Sequence, residues 1–338
     1  MKFSLPAIVS GSESDRQLGK EMIDVWRRDG IFEVQLTPEQ ASVADAAINS
    51  SKNFFKEPLE KKKTLLNDTS YSGYIASREE ITAGEEDYSE IFTVCKDLPL
   101  SDQRVEAGWP CHGPVPWPNH TFKENVSVHM NMMGGIGDKL LQLAALGLGL
   151  ELNQLKSLTE DGWHHMRMLR FQQAVTESDR GIGSHTDYGF LVIAIQKDAD
   201  GLDIRPPLAA DGSREVRKKN WLEGQSTAGE YQNDPHWVRM PLTPDVVTVF
   251  PGDLLQYLTG NYLISTPHKI ILHPERERFA LAYFHEPNFR QAIRPLMGEN
   301  QPASITYGEH FTNMFMRRYP ERPATKRIIA ENRQKIFS

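Results

Sequence analysis

His185, Thr186 and Asp187 follow one another where Gly181, Gly183 and Gly189 bend the chain and the apolar run 190–195 begins. In an extended segment residues i and i+2 face the same side, so His185 and Asp187 can offer an imidazole and a carboxylate to one ion. His268 follows Ser265-Thr266-Pro267 and opens the stretch 269–272, where the proline favours a strand start. Two imidazoles and one carboxylate on a common face make a site for divalent iron with positions left open. His-x-Asp alone carries little weight. A chain with 11 histidines can produce it by chance, and a histidine satisfied within a core is the commoner origin.

The pattern sharpens with its neighbours. Gly252-Asp253 precedes His268, and Arg278 follows it within the run Arg278-Phe279-Ala280-Leu281-Ala282-Tyr283-Phe284. A guanidinium in so apolar a strand is costly to bury without an acid beside it. A dicarboxylate ligand would be such a partner; an arginine exposed at the strand edge, or paired with a protein acid near Glu277, is the alternative.

The elements that must hold these residues can be read from periodicity. Leu18, Met22 and Trp26 repeat every four positions as in a helix, Phe32, Val34 and Leu36 alternate as in a strand, and Thr37-Pro38-Glu39 opens a second helix. Residues 71–118 are rich in Gly, Pro, Ser and Trp and read as a structured loop region. A long helix is expected over 122–150. Short strands follow at 164–171, 190–196, 202–205, 237–240, 246–250, 268–272 and 279–285, which suggests a sandwich or barrel. The polar segment 206–234 reads as an insertion over the barrel mouth, and 307–337 as basic and helical. The expected fold class is mainly β with flanking helices around a jelly-roll core. It would form a single domain over 1–338, with helices and loops over 1–160, the core over 161–290, and C-terminal helices over 291–338.

With 39% hydrophobic and 25% charged residues, the chain can bury a sizeable core. A net charge of -7 argues against a nucleic-acid partner, whose phosphates need clustered Lys and Arg. No stretch approaches the roughly 20 apolar residues of a membrane span. Only Cys95 and Cys111 are present, which fits a reducing, cytoplasmic setting. Small-molecule partners and a monomer are expected.

Taken together, His185, Asp187, Gly252-Asp253, His268 and Arg278 resemble the isopenicillin N synthase-like branch of the iron(II) and 2-oxoglutarate-dependent dioxygenases. Longer runs are similar to the 2-oxoglutarate-dependent ethylene- and succinate-forming enzymes: YSGY at 71–74, GWPCHGPVPW at 108–117, DGWHHMR at 161–167, FHEPNF at 284–289 and YGEHFTNMFMR at 307–317. This resemblance implies iron(II) held by His185, Asp187 and His268, with ascorbate as a stimulant. It implies 2-oxoglutarate as cosubstrate, with Arg278 on its far carboxylate, Arg167 nearby, and Val192, Leu202, Ala280, Ala282 and Phe284 forming an apolar pocket. L-Arginine would be the second substrate, received by Glu80, Thr82, Asp187, Tyr188 and Arg317. Two branches are implied. One converts 2-oxoglutarate and O2 to ethylene and carbon dioxide in the presence of L-arginine; the other gives succinate and hydroxylates L-arginine, releasing guanidine and pyrroline-5-carboxylate.

Two departures stand out. Ala280 lies where many such enzymes place a Ser or Thr hydroxyl on the far carboxylate, and Arg318 stands where the family's pattern has a smaller residue. Other readings remain open: a 2-oxoglutarate-dependent hydroxylase of arginine or another small molecule that makes no ethylene, an oxidase that dispenses with 2-oxoglutarate, and a non-catalytic jelly-roll binding module.

Overall fold

The computed structural model describes residues 1–174, 178–207, 218–222, 224–296 and 304–337. Its first helix, Glu13–Asp29, begins at a reciprocal cap in which the Ser12 hydroxyl accepts from the Asp15 N–H and the Asp15 carboxylate accepts from the Ser12 N–H. It ends at Gly30, whose φ of 77° suits a residue without a Cβ. The second, Pro38–Phe55, starts from the same device with Thr37 and Gln40. The long helix His120–Gly147 packs against both. Its crossing with Glu13–Asp29 is backbone to backbone: a Cβ on Gly19 would lie 2.3 Å from the Leu143 carbonyl oxygen, and one on Gly147 would lie 2.4 Å from that of Gly19.

These helices flank an eight-stranded sheet, ordered Lys2–Phe3, Phe32–Gln35, Val246–Pro251, Leu191–Lys197, Arg278–His285, His165–Phe171, Glu90–Val94, Gly73–Ile75. A four-stranded sheet runs Val238–Arg239, Leu202–Ile204, His268–Ile271, Arg180–His185. Within the two sheets every ladder is antiparallel except that of Lys2–Phe3 with Phe32–Gln35. Side chains from both sheets line a common cavity. The architecture is the expected one, mainly β with flanking helices around a jelly-roll core. Trp26 ties a helix to the large sheet by burying its ring against Phe32 at 4.8 Å and donating Nε1–H to the Val249 carbonyl at 3.1 Å. Burying a large apolar side chain of this kind contributes about 1.5–3 kcal/mol.

Two expectations need correction. Residues 71–118 are not only loop, because Gly73–Ile75 and Glu90–Val94 complete one edge of the large sheet. All five residues of Glu90–Val94 are buried, Glu90 through its ion pair with Lys62, so the strand lacks a polar face. The segment Arg180–His185, expected as glycine-bent chain, is a strand. Its glycines serve close approach: a Cβ on Gly181 would meet Ile270 at 2.7 Å across the ladder, and one on Gly183 would meet the Arg180 guanidinium at 2.1 Å. Of the insertion 206–234, residues 208–217 and 223 lie outside the described residues. The remainder folds back onto the strand end at His185, with the Gly229 N–H donating to the Ser184 carbonyl at 2.8 Å.

Candidate active site

His185 ends one strand and His268 begins its antiparallel neighbour, where the two residues sit directly opposite. Cross-strand partners bring their side chains together, and the rings lie 4.3 Å apart between centroids. Asp187, two residues past His185, turns back toward both. Its Oδ1 is 3.6 Å from His185 Nε2 and its Oδ2 is 3.5 Å from His268 Nε2. One ligand atom from each residue lies within 4.8 Å of the others.

The imidazoles are oriented by backbone. His185 Nδ1 is 2.9 Å from the Gly183 carbonyl and His268 Nδ1 is 3.1 Å from that of Thr266. A carbonyl only accepts, so each Nδ1 carries the proton and each Nε2 presents a lone pair toward Asp187. Burial, reinforced by the charge of His185, pushes His268 down to about 4, so it is neutral at pH 7. Burial would also lower His185, but the Asp187 carboxylate outweighs it and raises that group. Asp187 itself would be raised by burial, yet His268 and His185 hold it at about 2. Two imidazole nitrogens and one carboxylate converging in a buried cleft fit iron(II), which would take the place of the proton that Asp187 favours on His185.

The turn carrying Asp187 is held by Gly252-Asp253. The Asp253 N–H donates to the Asp187 carbonyl at 2.8 Å, the Leu254 N–H to Gly189 at 3.0 Å, and the Gly252 N–H to Phe190 at 2.9 Å. A Cβ on Gly252 would sit 2.4 Å from the Gly189 carbonyl oxygen, so glycine is required for the approach. Burial lifts the Asp253 carboxyl to about 6, and Asn220 of the insertion donates to it at 2.6 Å.

Two cavities meet at the triad. The inner one lies between the sheets and is lined by Val192, Leu202, Ala280, Ala282 and Phe284, with Arg278 and Arg167 among the polar groups. Arg278 is 4% exposed. Its Nη2 and Nε donate to Gln196 Oε1 at 3.1 and 3.4 Å, and among the described residues Nη1 has no partner. The exposed strand edge does not apply, and among the described residues no acid near Glu277 pairs with Arg278, Glu277 itself being paired with Arg170. Burial pushes the Arg278 guanidinium down to about 10.

The outer cavity is lined by Thr82, Asp187, Tyr188, Arg167, Arg318 and several aromatic rings, with Asn220 and Thr227 from the insertion. Glu80 lies behind this lining. Its Oε1 accepts from Arg167 Nη2 at 2.5 Å and from the Tyr319 hydroxyl. Burial would raise its carboxyl, but Arg167 and Arg318 hold it at about 2. Arg317 is not among the lining residues; its guanidinium reaches the Gln225 carbonyl at 3.3 Å and Met314 Sδ at 2.9 Å. Arg318 turns inward instead, with Nη2 on Thr82 Oγ1 at 2.8 Å and Asp87 Oδ2 at 3.0 Å. Asp87, Arg180, Glu286 and Tyr319 were not foreseen as site residues; the pairing of Arg180 with Asp87 joins positions far apart in the chain that carry no local signal. Burial raises Glu286 to about 8, so a neutral carboxylic acid also faces this cavity.

Residues 163–287 match the 2OG-Fe(II) oxygenase superfamily and residues 3–120 match the non-haem dioxygenase in morphine synthesis N-terminal family. A 2-oxoglutarate-dependent ethylene/succinate-forming enzyme of Ralstonia nicotianae is 52% identical over 329 residues, covering 97% of this chain and 94% of that one. Homoarginine-6-hydroxylase 2-ODD-C23 of Glycine max is 25% identical, covering 78% and 77%. Among solved structures, a full-length Neurospora crassa protein in complex with alpha-KG and 5-formyluracil superposes with a TM-score of 0.72 at 19% identity, covering 93% and 94%. A rice dioxygenase for auxin oxidation does so at 0.65 and 19%, covering 96% of both.

Proposed function

Because the chain belongs to the 2OG-Fe(II) oxygenase superfamily, and is 52% identical to an ethylene/succinate-forming member along nearly its whole length, we propose that it is an iron(II)-dependent dioxygenase. It converts 2-oxoglutarate and O2 to ethylene and carbon dioxide in the presence of L-arginine. A second branch gives succinate and hydroxylates L-arginine to guanidine and pyrroline-5-carboxylate. His185, Asp187 and His268 hold the iron(II), which supplies, when bound, the activation of O2 that drives the loss of carbon dioxide from 2-oxoglutarate.

The observation that carries this reading is Arg278, a buried guanidinium with an unpartnered Nη1 at one end of an apolar cavity whose other end is the triad. Among the described residues no carboxylate hydrogen-bonds to it, and the far carboxylate of 2-oxoglutarate would be that partner. Val192, Leu202, Ala280, Ala282 and Phe284 keep water from the methylene groups between the two carboxylates. Ala280 offers no hydroxyl there, so Arg278 and Gln196 must do the polar recognition. Arg167 reaches the same cavity from its pairing with Glu80.

L-Arginine as second substrate, received in the outer cavity by Thr82, Asp187 and Tyr188 with Glu80 behind them and Arg317 beyond the lining, is supported by the aromatic rings grouped there and by the likeness to a homoarginine hydroxylase. A reducing, cytoplasmic setting is in keeping with Cys95 and Cys111, both buried and free of disulfides. The test is headspace gas chromatography on purified protein with iron(II), ascorbate, O2 and 2-oxoglutarate, with and without L-arginine, beside a succinate assay. Arginine-dependent ethylene is expected. Succinate without ethylene would leave a hydroxylase in its place, and neither product would refute the reading.

A further inference from the structure

Behind the Thr82 and Arg318 side of the outer cavity, two buried acids already hold a guanidinium. Asp87 is fully buried and offers about four lone-pair sites. Oδ1 accepts from the Gly183 N–H at 3.0 Å and Arg180 Nε at 3.3 Å, while Oδ2 accepts from the Thr82 hydroxyl at 2.5 Å and Arg318 Nη2 at 3.0 Å. Thr82 in turn accepts from Arg318 Nη2 at 2.8 Å, and the second oxygen of Glu80 faces the same nitrogen at 3.5 Å. The two buried carboxylates of Glu80 and Asp87 are therefore met by three guanidiniums, those of Arg167, Arg180 and Arg318. No acceptor in this cluster stands idle for a further cation.

Of the three, Arg318 is the one that can leave. Arg167 and Arg180 project from sheet strands. Arg318 is the last residue of the helix Tyr307–Arg318 and lines the open cavity with 19% of its side chain exposed. Its contacts with Glu80, Thr82 and Asp87 all run through one nitrogen. Withdrawing it would free one oxygen site on each of Asp87, Thr82 and Glu80, three acceptors that converge on the place of one guanidinium nitrogen.

We infer that Arg318 sets the specificity of the second-substrate pocket by acting as a resident competitor: its guanidinium occupies the acceptors that the guanidinium of L-arginine would use. This rests on the reading of L-arginine as second substrate. L-Arginine binds only after displacing Arg318, so the protein binds it weakly and distinguishes it poorly from L-citrulline, its neutral analogue of nearly the same shape. Two like charges cannot share the site, and a substrate that brings its own cation gains little over one that does not.

The experiment is isothermal titration, without oxygen, of the whole protein loaded with Mn(II) and 2-oxoglutarate, using L-arginine and L-citrulline as ligands. Arg318→Ala is expected to bind L-arginine at least tenfold more tightly than the parent, with L-citrulline changed less than threefold. Arg318→Gln, which keeps an N–H donor for Thr82 and Asp87 while removing the charge, should move in the same direction and covers the case in which the alanine variant does not fold. Equal affinity for L-arginine in parent and variants would overturn the competitor role while leaving L-arginine as substrate. Weaker binding in the variants would overturn it by making Arg318 a contact of the substrate. If neither parent nor variants bind L-arginine while all bind 2-oxoglutarate, the reading of the second substrate fails and this inference falls with it.

Discussion

Replacing Arg278 by Met should stabilise the ligand-free protein and weaken its affinity for 2-oxoglutarate, two effects of opposite sign from one change. Arginine ordinarily titrates at 12.5, and burial holds Arg278 at about 10. At about 1.4 kcal/mol per pH unit, that gap is a cost of about 3 kcal/mol in the folded state. The sign is fixed because a lowered folded pKa means the charged form is disfavoured on folding, and at pH 7 the group is charged in both states. Methionine fills a similar apolar path without the charge. The amide of Gln196 loses its partner, which returns about 1 kcal/mol. The net gain is about 2 kcal/mol. With unfolding entropy of about 2.1 cal/mol/K per residue, the melting temperature should rise by about 3 °C. The same substitution removes the charge-assisted pair to the far carboxylate, so 2-oxoglutarate affinity should fall about a hundredfold. Differential scanning fluorimetry with Mn(II), with and without 2-oxoglutarate, reads both. A lower melting temperature together with an undiminished 2-oxoglutarate shift would refute the reasoning, since Arg278 would then be a satisfied structural residue.

Asp187→Ala should abolish retention of iron(II) after desalting, measured by atomic absorption, because two imidazoles remain without the carboxylate that, among the described residues, faces both; full retention would remove this triad as the metal site. Glu80 is held at about 2 against the ordinary 4.5, so its contribution of about 3 kcal/mol is present above roughly pH 4.5 and lost as the pH falls toward 2. Glu80→Gln should flatten that acid limb of a stability-versus-pH curve; an unchanged slope would show that other carboxylates dominate it. Gly19→Ala should destabilise the fold by about 1–3 kcal/mol in urea melts, because the added carbon collides with the Leu143 carbonyl. Cosubstrate affinity in the folded fraction should be unaffected.

The triad was legible because its signal is local: the i, i+2 spacing of His185 and Asp187, then a proline-led strand bringing His268. The apolar pocket came from the family resemblance and not from spacing, and Ala280, Ala282 and Phe284 do lie on one strand facing the cavity. The strand that carries His185 was not, because Gly181 and Gly183 have the same letters whether they break a strand or let Ile270 and Arg180 come close to it. Glu90–Val94 was hidden by its burial on both faces, where the period of two disappears. The choice between Arg317 and Arg318 lay beyond the sequence too. Successive residues on a helix point about 100° apart, and which one meets the cavity depends on how Tyr307–Arg318 is seated against Tyr71 and Trp163.

Arg167 stands in the wall of both cavities and keeps Glu80 as its carboxylate partner. A negative ligand drawn to it on one side alters the field felt on the other, and reciprocity requires that the second ligand influence the first by the same factor. The two seats are thus rungs of one ladder. Occupancy becomes a property of the pair, carried by the wall the two cavities share, in which Arg167 stands with Ile182, His185, Asp187 and Phe284.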